Sequence, residues 1–176
     1  MGSSKDINHA ILSRLLKNAR TSDRQMAREI GVSQPTITRR RAKLEKDGFL
    51  NYKIIPSFRK LGVEIMAFIL LVWKREAHDK LLEEKDYNRR VQGFISKHPN
   101  IVFASSGQGL GMTRMVITVH KSYSDYVKFI SSIDEQWGTY LEKYDSFLVS
   151  FKSDKIVKHF TFEDIIDYLH AENAEQ

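Results

Sequence analysis

Residues 20–48 read RTSDRQMAREIGVSQPTITRRRAKLEKDG, and this stretch decides the fold of the first third of the chain. Ser22 opens a capping-box pattern, which predicts that a helix begins there. Gly31 permits the left-handed backbone conformation that ends a helix. Ser33 can cap the next helix, whose first turn holds Pro35 at a position where a missing N–H costs nothing. Two short helices joined by a three-residue turn with a glycine form a helix-turn-helix.

The flanking segments extend this motif to a winged helix-turn-helix. Apolar residues recur at helical spacing over residues 6–18, which predicts an amphipathic first helix. The third helix is predicted to run to about Lys46, before an Asp-Gly pair that stops it. Residues 49–55 are rich in aromatic and β-branched side chains, so they predict a wing strand or a small hairpin. Phe49 and Ile54 are expected to pack against the third helix.

The outward side of the third helix carries the candidate DNA contacts. With Ile37 and Leu44 on the core side, a rotation of about 100° per residue defines the opposite side, with Thr36 at its edge. The residues predicted on that opposite side are Thr38, Arg39, Ala42, Lys43 and Lys46. Arg39 is predicted to contact a base, because a guanidinium can bond guanine at two positions, while the lysines meet phosphates. The alternative is a solvated helix face without a partner. The predicted DNA-binding residues are Ser33, Gln34, Thr36, Thr38, Arg39, Arg40, Lys43 and Lys46.

The distribution of charge favours a polyanionic partner for this part of the chain. The net charge is +6, and residues 1–53 hold 12 lysines and arginines against 5 acidic residues. The remaining residues hold 16 basic against 17 acidic side chains, so they are nearly neutral. A basic segment joined to a neutral one is typical of a module that binds double-stranded DNA.

The rest of the chain alternates strands with helices. The predicted order is a strand at 63–74, a charged helix before Pro99 that includes Leu81, Leu82, Val91, Phe94 and Ile95, strands at 101–105 and 113–120, a helix opened by Ser122, and a strand at 144–151. This βαββαβ order predicts a ferredoxin-like fold with a four-stranded antiparallel sheet. The fold class is therefore α+β. The predicted domains are 1–58 for DNA binding, 59–152 for the ferredoxin-like domain, and 153–176 for an extension with a helix near 162–170.

Several other classes of protein are disfavoured by the sequence. The chain has no cysteine, which excludes disulfides and thiolate metal sites. The longest apolar run, Ile65 to Trp73, is about half of what a membrane span needs, so a buried strand is expected rather than a membrane anchor. The six histidines lack ligand spacing, and the glycines of Gly107–Gly111 fit a flexible hairpin turn better than a phosphate cradle. We expect a cytoplasmic protein with no cofactor, no metal, no catalytic residues and no membrane partner.

Residues 20–48 resemble the DNA-binding half of the Lrp/AsnC family of bacterial and archaeal transcription regulators. The resemblance rests on Asn18-Ala19-Arg20, Ala27, Gly31-Val32-Ser33, Arg39-Arg40 and Leu44-Glu45. One departure is Arg41, which stands where the family usually has an apolar residue. By helical geometry it lies on the inner flank, where its aliphatic stem can cover the core while its charge reaches solvent. A rotated third helix is the alternative.

The resemblance implies a function for both halves. The carboxy-terminal half would sense an effector and pair sheet to sheet with a second subunit. The family's glycine-rich stretch is echoed by Gly107, Gln108 and Gly109, which are the candidate residues for an amino-acid-like effector. The usual acidic residue of that stretch is absent, and residues 152–176 extend beyond the family pattern.

The expected function is that of a sequence-specific, homodimeric transcription regulator. One alternative is a tetrapyrrole-binding decarboxylase of similar two-domain shape, for which His98, His120 and Arg114 are available. The basic bias of the first 53 residues argues against that enzyme. The other alternative is a ligand-sensing or protein-interaction module without DNA binding.

Overall fold

The computed structural model describes residues 4–76, 86–158 and 161–174. It divides into two units, each described here by itself. Unit 1 comprises Met1–Ile55 and Lys158–Gln176, and unit 2 comprises Pro56–Val157. No helix in the described part of the chain is both long enough and apolar enough to cross a membrane.

Unit 1 contains three helices from the start of the chain and one from its end. These are α1 (Ser4–Lys17), α2 (Asp23–Ile30), α3 (Gln34–Lys46) and α6 (Ile165–Ala174). Their core is formed by Ile11, Leu12, Leu15, Met26, Ala27, Ile37 and Leu44. Apolar residues at helical spacing thus bring α1, α2 and α3 together, as the periodicity predicts.

Local capping signals define the turn between α2 and α3. The Ser22 hydroxyl accepts a hydrogen bond from the Gln25 amide at 3.2 Å. Gly31 adopts a φ of 77° and donates to the Ala27 carbonyl, so α2 ends in the predicted left-handed cap. Ser33 caps α3 by accepting from the Thr36 amide at 3.4 Å. The predicted helix-turn-helix is confirmed.

The predicted wing strand is wrong. Within the described chain, residues 50–57 form neither strand nor helix. Phe49 and Ile54, expected to pack on the third helix, are 69% and 92% exposed. The cause is the reversal at Gly48, after which the amides of Phe49 and Leu50 both donate to the Leu44 carbonyl. That turn directs Leu50 against the core instead.

In its described residues, unit 2 has a four-stranded antiparallel sheet with two α-helices on one face, preceded by a 3-10 turn at Arg59–Leu61. Its elements are β1 (Ile65–Trp73), α4 (Tyr87–Lys97), β2 (Ile101–Gly109), β3 (Met112–His120), α5 (Tyr123–Trp137) and β4 (Leu141–Ser150). The strand order is β2-β3-β1-β4, and the predicted βαββαβ arrangement is confirmed. Ala67, Ile69 and Leu71 of β1 face the core that α4 and α5 cover. Leu81 and Leu82, predicted for the first of these helices, lie outside the described residues.

The glycine-rich segment differs from its prediction as a flexible turn. Gly107 and Gly109 belong to β2, which runs four residues beyond the predicted end. The reversal itself occurs at Leu110 and Gly111, with φ of 53° and 70°. The pairing of β2 with β3 shifts register between Ser106 and Gly109. An edge strand with such a bulge accommodates glycine, so the glycine spacing alone placed the turn too early.

Helix α6 packs within unit 1. Its hydrogen bonds to α1 join residues that are 150 and 154 positions apart in the chain. Ile166 contacts the unit 1 core. Asp167 accepts a hydrogen bond from the Ser13 hydroxyl at 3.1 Å and one from the Lys17 ammonium at 3.0 Å. The helix begins three residues later than predicted and runs on to Ala174. The carboxy-terminal segment therefore contributes to the core of the unit that holds the helix-turn-helix.

Candidate nucleic-acid interface

Helix α3 presents a polar side opposite its anchoring residues. Ile37 is fully buried and Leu44 is 5% exposed, which fixes the rotation of the helix. The side chains on the opposite side are all exposed, and Thr36 at its edge is half-buried, as the helical spacing predicts. The exposed residues of that side are Thr38, Arg39, Ala42, Lys43 and Lys46. The helix is not rotated from the predicted orientation.

Four of the predicted DNA-binding residues hold α3 in place. The Thr38 hydroxyl donates to the Asp23 carboxylate at 2.7 Å, which ties α3 to the start of α2. The half-buried Arg40 donates to the Asn8 side-chain oxygen at 3.0 Å. Ser33 and Thr36 join their hydroxyls at 2.8 Å in the helix cap. These contacts give the four side chains a structural role in addition to any contact with DNA.

The other four predicted residues form an exposed polar and basic row. Gln34 lies at the start of α3, followed on the outer side by Arg39, Lys43 and Lys46. Arg39 can offer two parallel donors, and the two lysines add point charges nearer the end of the helix. This arrangement is suited to a major groove, in which the first turns of a helix meet base edges and its later basic residues meet phosphate.

Arg41 of α3 contacts α2, α3 and the segment after α3. This role was not predicted from the sequence. Its guanidinium donates to Asp23 at 3.1 Å, to Glu45 at 3.2 Å and to the Tyr52 hydroxyl at 2.9 Å. It also lies 5.3 Å from the centre of the Tyr52 ring, within cation–π range. The Arg41–Glu45 spacing of four residues was the available signal. The contact with Tyr52 could not be read from spacing, because it depends on the path after Gly48.

Tyr52 closes this cluster, which we call the Arg41 cluster (Asp23, Arg41, Glu45 and Tyr52). Its hydroxyl accepts from Arg41 and donates to Glu45 at 2.9 Å. Burial, followed by the hydrogen bond to Glu45, raises the pKa of Tyr52, so the phenol stays protonated and can donate. The cluster therefore links the segment after α3 to α3 itself without a strand.

The predicted effector residues lie on an exposed edge of unit 2. Gly107, Gln108 and Gly109 are all exposed in strand β2. They do not line the cleft between the sheet and its helices, although their neighbours Ser105 and Ser106 do. The structure thus places these residues together on one strand edge rather than within a pocket.

The two histidines named for tetrapyrrole binding make contacts within unit 2. His120 is 1% exposed, with Nε2 2.7 Å from the Thr118 hydroxyl. Burial lowers the pKa of His120 despite the nearby Asp125, so the imidazole is neutral. Nδ1 of His98 lies 2.8 Å from the Phe94 carbonyl oxygen. Among the described residues, no three of His, Cys, Asp or Glu are grouped as metal ligands.

Comparison with known proteins supports the DNA-binding interpretation. Residues 5–51 match the winged helix-turn-helix DNA-binding family. The regulatory protein AsnC of Haemophilus influenzae is 26% identical over 130 residues, covering 72% of this chain and 83% of that protein. An HTH-type transcriptional regulator of Pyrococcus furiosus is 28% identical over 131 residues, covering 73% and 80%. The chain is thus similar to the regulators AsnC and LrpC, over 72% and 56% of its length.

Solved structures of similar proteins share the fold of this regulator along nearly its whole length. Escherichia coli AsnC is 22% identical, with a TM-score of 0.65, covering 88% of this chain and 96% of that one. A Neisseria meningitidis regulator in complex with L-Met is 17% identical, with a TM-score of 0.73, covering 96% and 99%. The chain thus shares its α+β fold with these proteins, and residues 5–51 match a winged helix-turn-helix DNA-binding family.

Proposed function

We propose that this regulator reads a specific DNA sequence with the exposed row of α3. The observation that carries the proposal is the division of α3, with Ile37 and Leu44 buried on one side and Arg39, Lys43 and Lys46 exposed on the other. Arg39 contacts a base edge, and the lysines contact phosphates. Thr38 and Arg40 serve mainly to orient the helix, because their polar atoms already bond Asp23 and Asn8.

The regulator acts as a homodimer that pairs through the sheet of unit 2. The face of β1 opposite Ala67, Ile69 and Leu71 carries Phe68 and Leu70, and neither belongs to the core that α4 and α5 cover. Strand register puts Phe147 beside Phe68 on this face, and Phe147 is 70% exposed. Phe103 of the edge strand lies on the same face through its pairing with Ile117, and it is 46% exposed. Such an apolar face supports a partner surface of the same chain.

A dimer implies a partly palindromic operator. Two recognition helices enter successive major grooves about 34 Å apart, so the half-sites are spaced by roughly one helical turn. We place this interaction in the cytoplasm, and we assign no catalytic role to the chain. The buried His120 and the bonded His98 give no support to a tetrapyrrole enzyme.

An amino-acid-like effector modulates DNA binding at the exposed hairpin of unit 2. The support is the likeness to the Neisseria meningitidis regulator solved in complex with L-Met. The candidate residues are Gly107, Gln108 and Gly109, which are all exposed on β2. The check is operator binding measured with each amino acid added separately.

The test of the DNA proposal is selection of duplexes from a random pool at two salt concentrations. Enrichment of a two-fold symmetric motif, with affinity that falls as salt rises, supports a sequence-specific dimer. The matched control is Arg89→Ala, which removes an exposed arginine from unit 2. Weak binding to every duplex, with no motif enriched, contradicts sequence reading. An enriched motif without two-fold symmetry contradicts only the proposed homodimer and not the reading of a specific sequence.

A further inference from the structure

Helix α1 of unit 1 is covered from two sides. Ile11 is fully buried in the core that α1 shares with α2 and α3. Ser13 is only 6% exposed, although a rotation of about 100° per residue puts it about 200° round the helix from Ile11. A side chain on that far side is buried only if another segment covers it, and α6 contacts α1 there. Helix α1 therefore has α2 and α3 on one side and α6 on the other.

The contact between α6 and α1 combines a buried hydrogen bond with apolar packing. Asp167 accepts from the Ser13 hydroxyl at 3.1 Å and from the Lys17 ammonium at 3.0 Å. The side chains of Lys17 and Asp167 are 47% and 53% exposed, so solvent screens their ion pair and it contributes little. Ser13 is buried, so loss of its acceptor leaves a hydroxyl unsatisfied, which is more costly. Ile166, the neighbour of Asp167, packs against the unit 1 core.

Helix α1 in turn holds α3. The Arg40 guanidinium of α3 donates to the Asn8 side-chain oxygen of α1 at 3.0 Å. Ile37 of α3 is fully buried in the same core as Ile11 of α1. Arg40 directly follows Arg39, the residue proposed to read a base. A chain of packed and hydrogen-bonded side chains therefore joins α6 to the DNA-binding side of α3.

We propose that Asp167 is a positioning residue for DNA binding, which acts on α3 through α1. The inference rests on the proposed function of α3 and adds to it a contribution from the far end of the chain. Asp167 holds α1 through Ser13, and α1 holds α3 through Asn8 and the shared core. When α6 leaves α1, α3 loses part of the support that fixes its orientation, and its affinity for DNA falls.

The sign of the effect separates positioning from electrostatics. DNA is a polyanion, so removing a carboxylate from the protein strengthens binding if charge alone matters. Loss of a positioning contact weakens binding instead. Asp167→Ala removes both the charge and the acceptor for Ser13, whereas Asp167→Asn removes the charge and keeps an acceptor oxygen. A comparison of these two variants therefore isolates the hydrogen bond.

The first experiment measures binding of the full chain to a labelled pool of random duplexes at low salt. We expect Asp167→Ala to bind about threefold to thirtyfold more weakly than the parent chain, and Asp167→Asn to bind at least as tightly as the parent. Ile166→Ala, which changes no charge, should also weaken binding. Glu163→Ala is the control, because it removes an exposed carboxylate two residues before α6. Thermal unfolding verifies that each variant is folded at the assay temperature.

The second experiment measures the coupling in the reverse direction. If docking of α6 strengthens DNA binding, DNA strengthens the docking by the same factor. The chain has no cysteine, so a thiol introduced by Ser13→Cys is labelled specifically, and α6 covers it. Random duplexes should slow this labelling to a plateau about threefold to thirtyfold lower, because the form with α6 released still binds DNA, only more weakly. Slowing that grows without a plateau would instead report unfolding of unit 1.

The outcomes distinguish this inference from the proposed function. Absence of salt-dependent binding by the parent chain overturns the proposed function and this inference with it. Binding by the parent that is unchanged or tighter in folded Asp167→Ala overturns the inference alone, as does equal weakening in Asp167→Asn. If Asp167→Ala does not fold, the labelling of Ser13→Cys decides, and labelling that the duplexes leave unchanged, or slow without a plateau, overturns the inference.

Discussion

Replacing Asp23 should loosen the recognition helix, because one carboxylate holds α3 through two contacts. Its Oδ2 accepts from the Thr38 hydroxyl at 2.7 Å, and its Oδ1 lies 3.1 Å from the Arg41 guanidinium. The side chains of Asp23 and Arg41 are 21% and 25% exposed, so solvent screens their ion pair only partly. Asp23 also lies in the first turn of α2, where a negative charge is favourable.

The expected cost of Asp23→Ala is about 2 kcal/mol in the free energy of unfolding. About 1 kcal/mol comes from the hydrogen bond with Thr38. About 0.5 kcal/mol comes from the ion pair with Arg41, and about 0.5 kcal/mol from the helix dipole. Asp23→Asn keeps an acceptor for Thr38, so it should lose only the two charge contributions, or about 1 kcal/mol.

Urea unfolding followed by circular dichroism measures both variants. A double-mutant cycle with Arg41→Met isolates the coupling between the two side chains, which we expect to be about 0.5–1 kcal/mol. The same variants should bind DNA more weakly, because α3 is no longer fixed against α2. A loss below about 0.5 kcal/mol for Asp23→Ala would refute the argument that this carboxylate positions the helix. So would a coupling energy of zero.

Three further predictions concern DNA, assembly and pH. Arg39→Ala should cost about 1–3 kcal/mol of operator binding and relax preference at one base position; equal weakening on all duplexes in an anisotropy assay would rule out base reading. Phe147→Asp should shift the proposed homodimer toward monomer in sedimentation, because it charges an apolar face, whereas Glu142→Gln should not; a dimer that forms equally well in Phe147→Asp would exclude this face. Unit 2 should lose stability as pH falls below the ordinary His pKa of 6.5, because burial holds the pKa of His120 lower in the folded state. In His120→Gln, the free energy of unfolding should change less with pH. An unchanged pH dependence would assign the effect to another group.

Local backbone signals made unit 1 predictable as far as the end of α3. Caps at Ser22 and Ser33 and the left-handed Gly31 act over three or four residues, so their outcome depends little on distant parts of the chain. The prediction of a wing strand was wrong because Phe49 and Leu50 are neighbours of similar hydrophobicity. The turn at Gly48, rather than composition, decides which of them reaches the core.

Longer-range contacts explain what else the sequence could not indicate. The order of strands in unit 2 followed from alternation and turns, but the length of β2 depended on its pairing with β3 through a register shift. The cleft between the sheet and its helices combines residues of both helices and all four strands. Its formation depends on packing, so no spacing pattern could have predicted it.

The participation of α6 in unit 1 has a consequence for how the protein is made. Ser13 and Asp167 are 154 positions apart in the chain and in hydrogen-bond contact. The ribosome synthesises the first three helices long before it adds Ile166, so the full core of unit 1 can form only after Ile166 has been translated. Closing so long a loop also slows this docking step. Helix α3 is thus translated early, and the core that holds it is completed only after the whole of unit 2 has been translated.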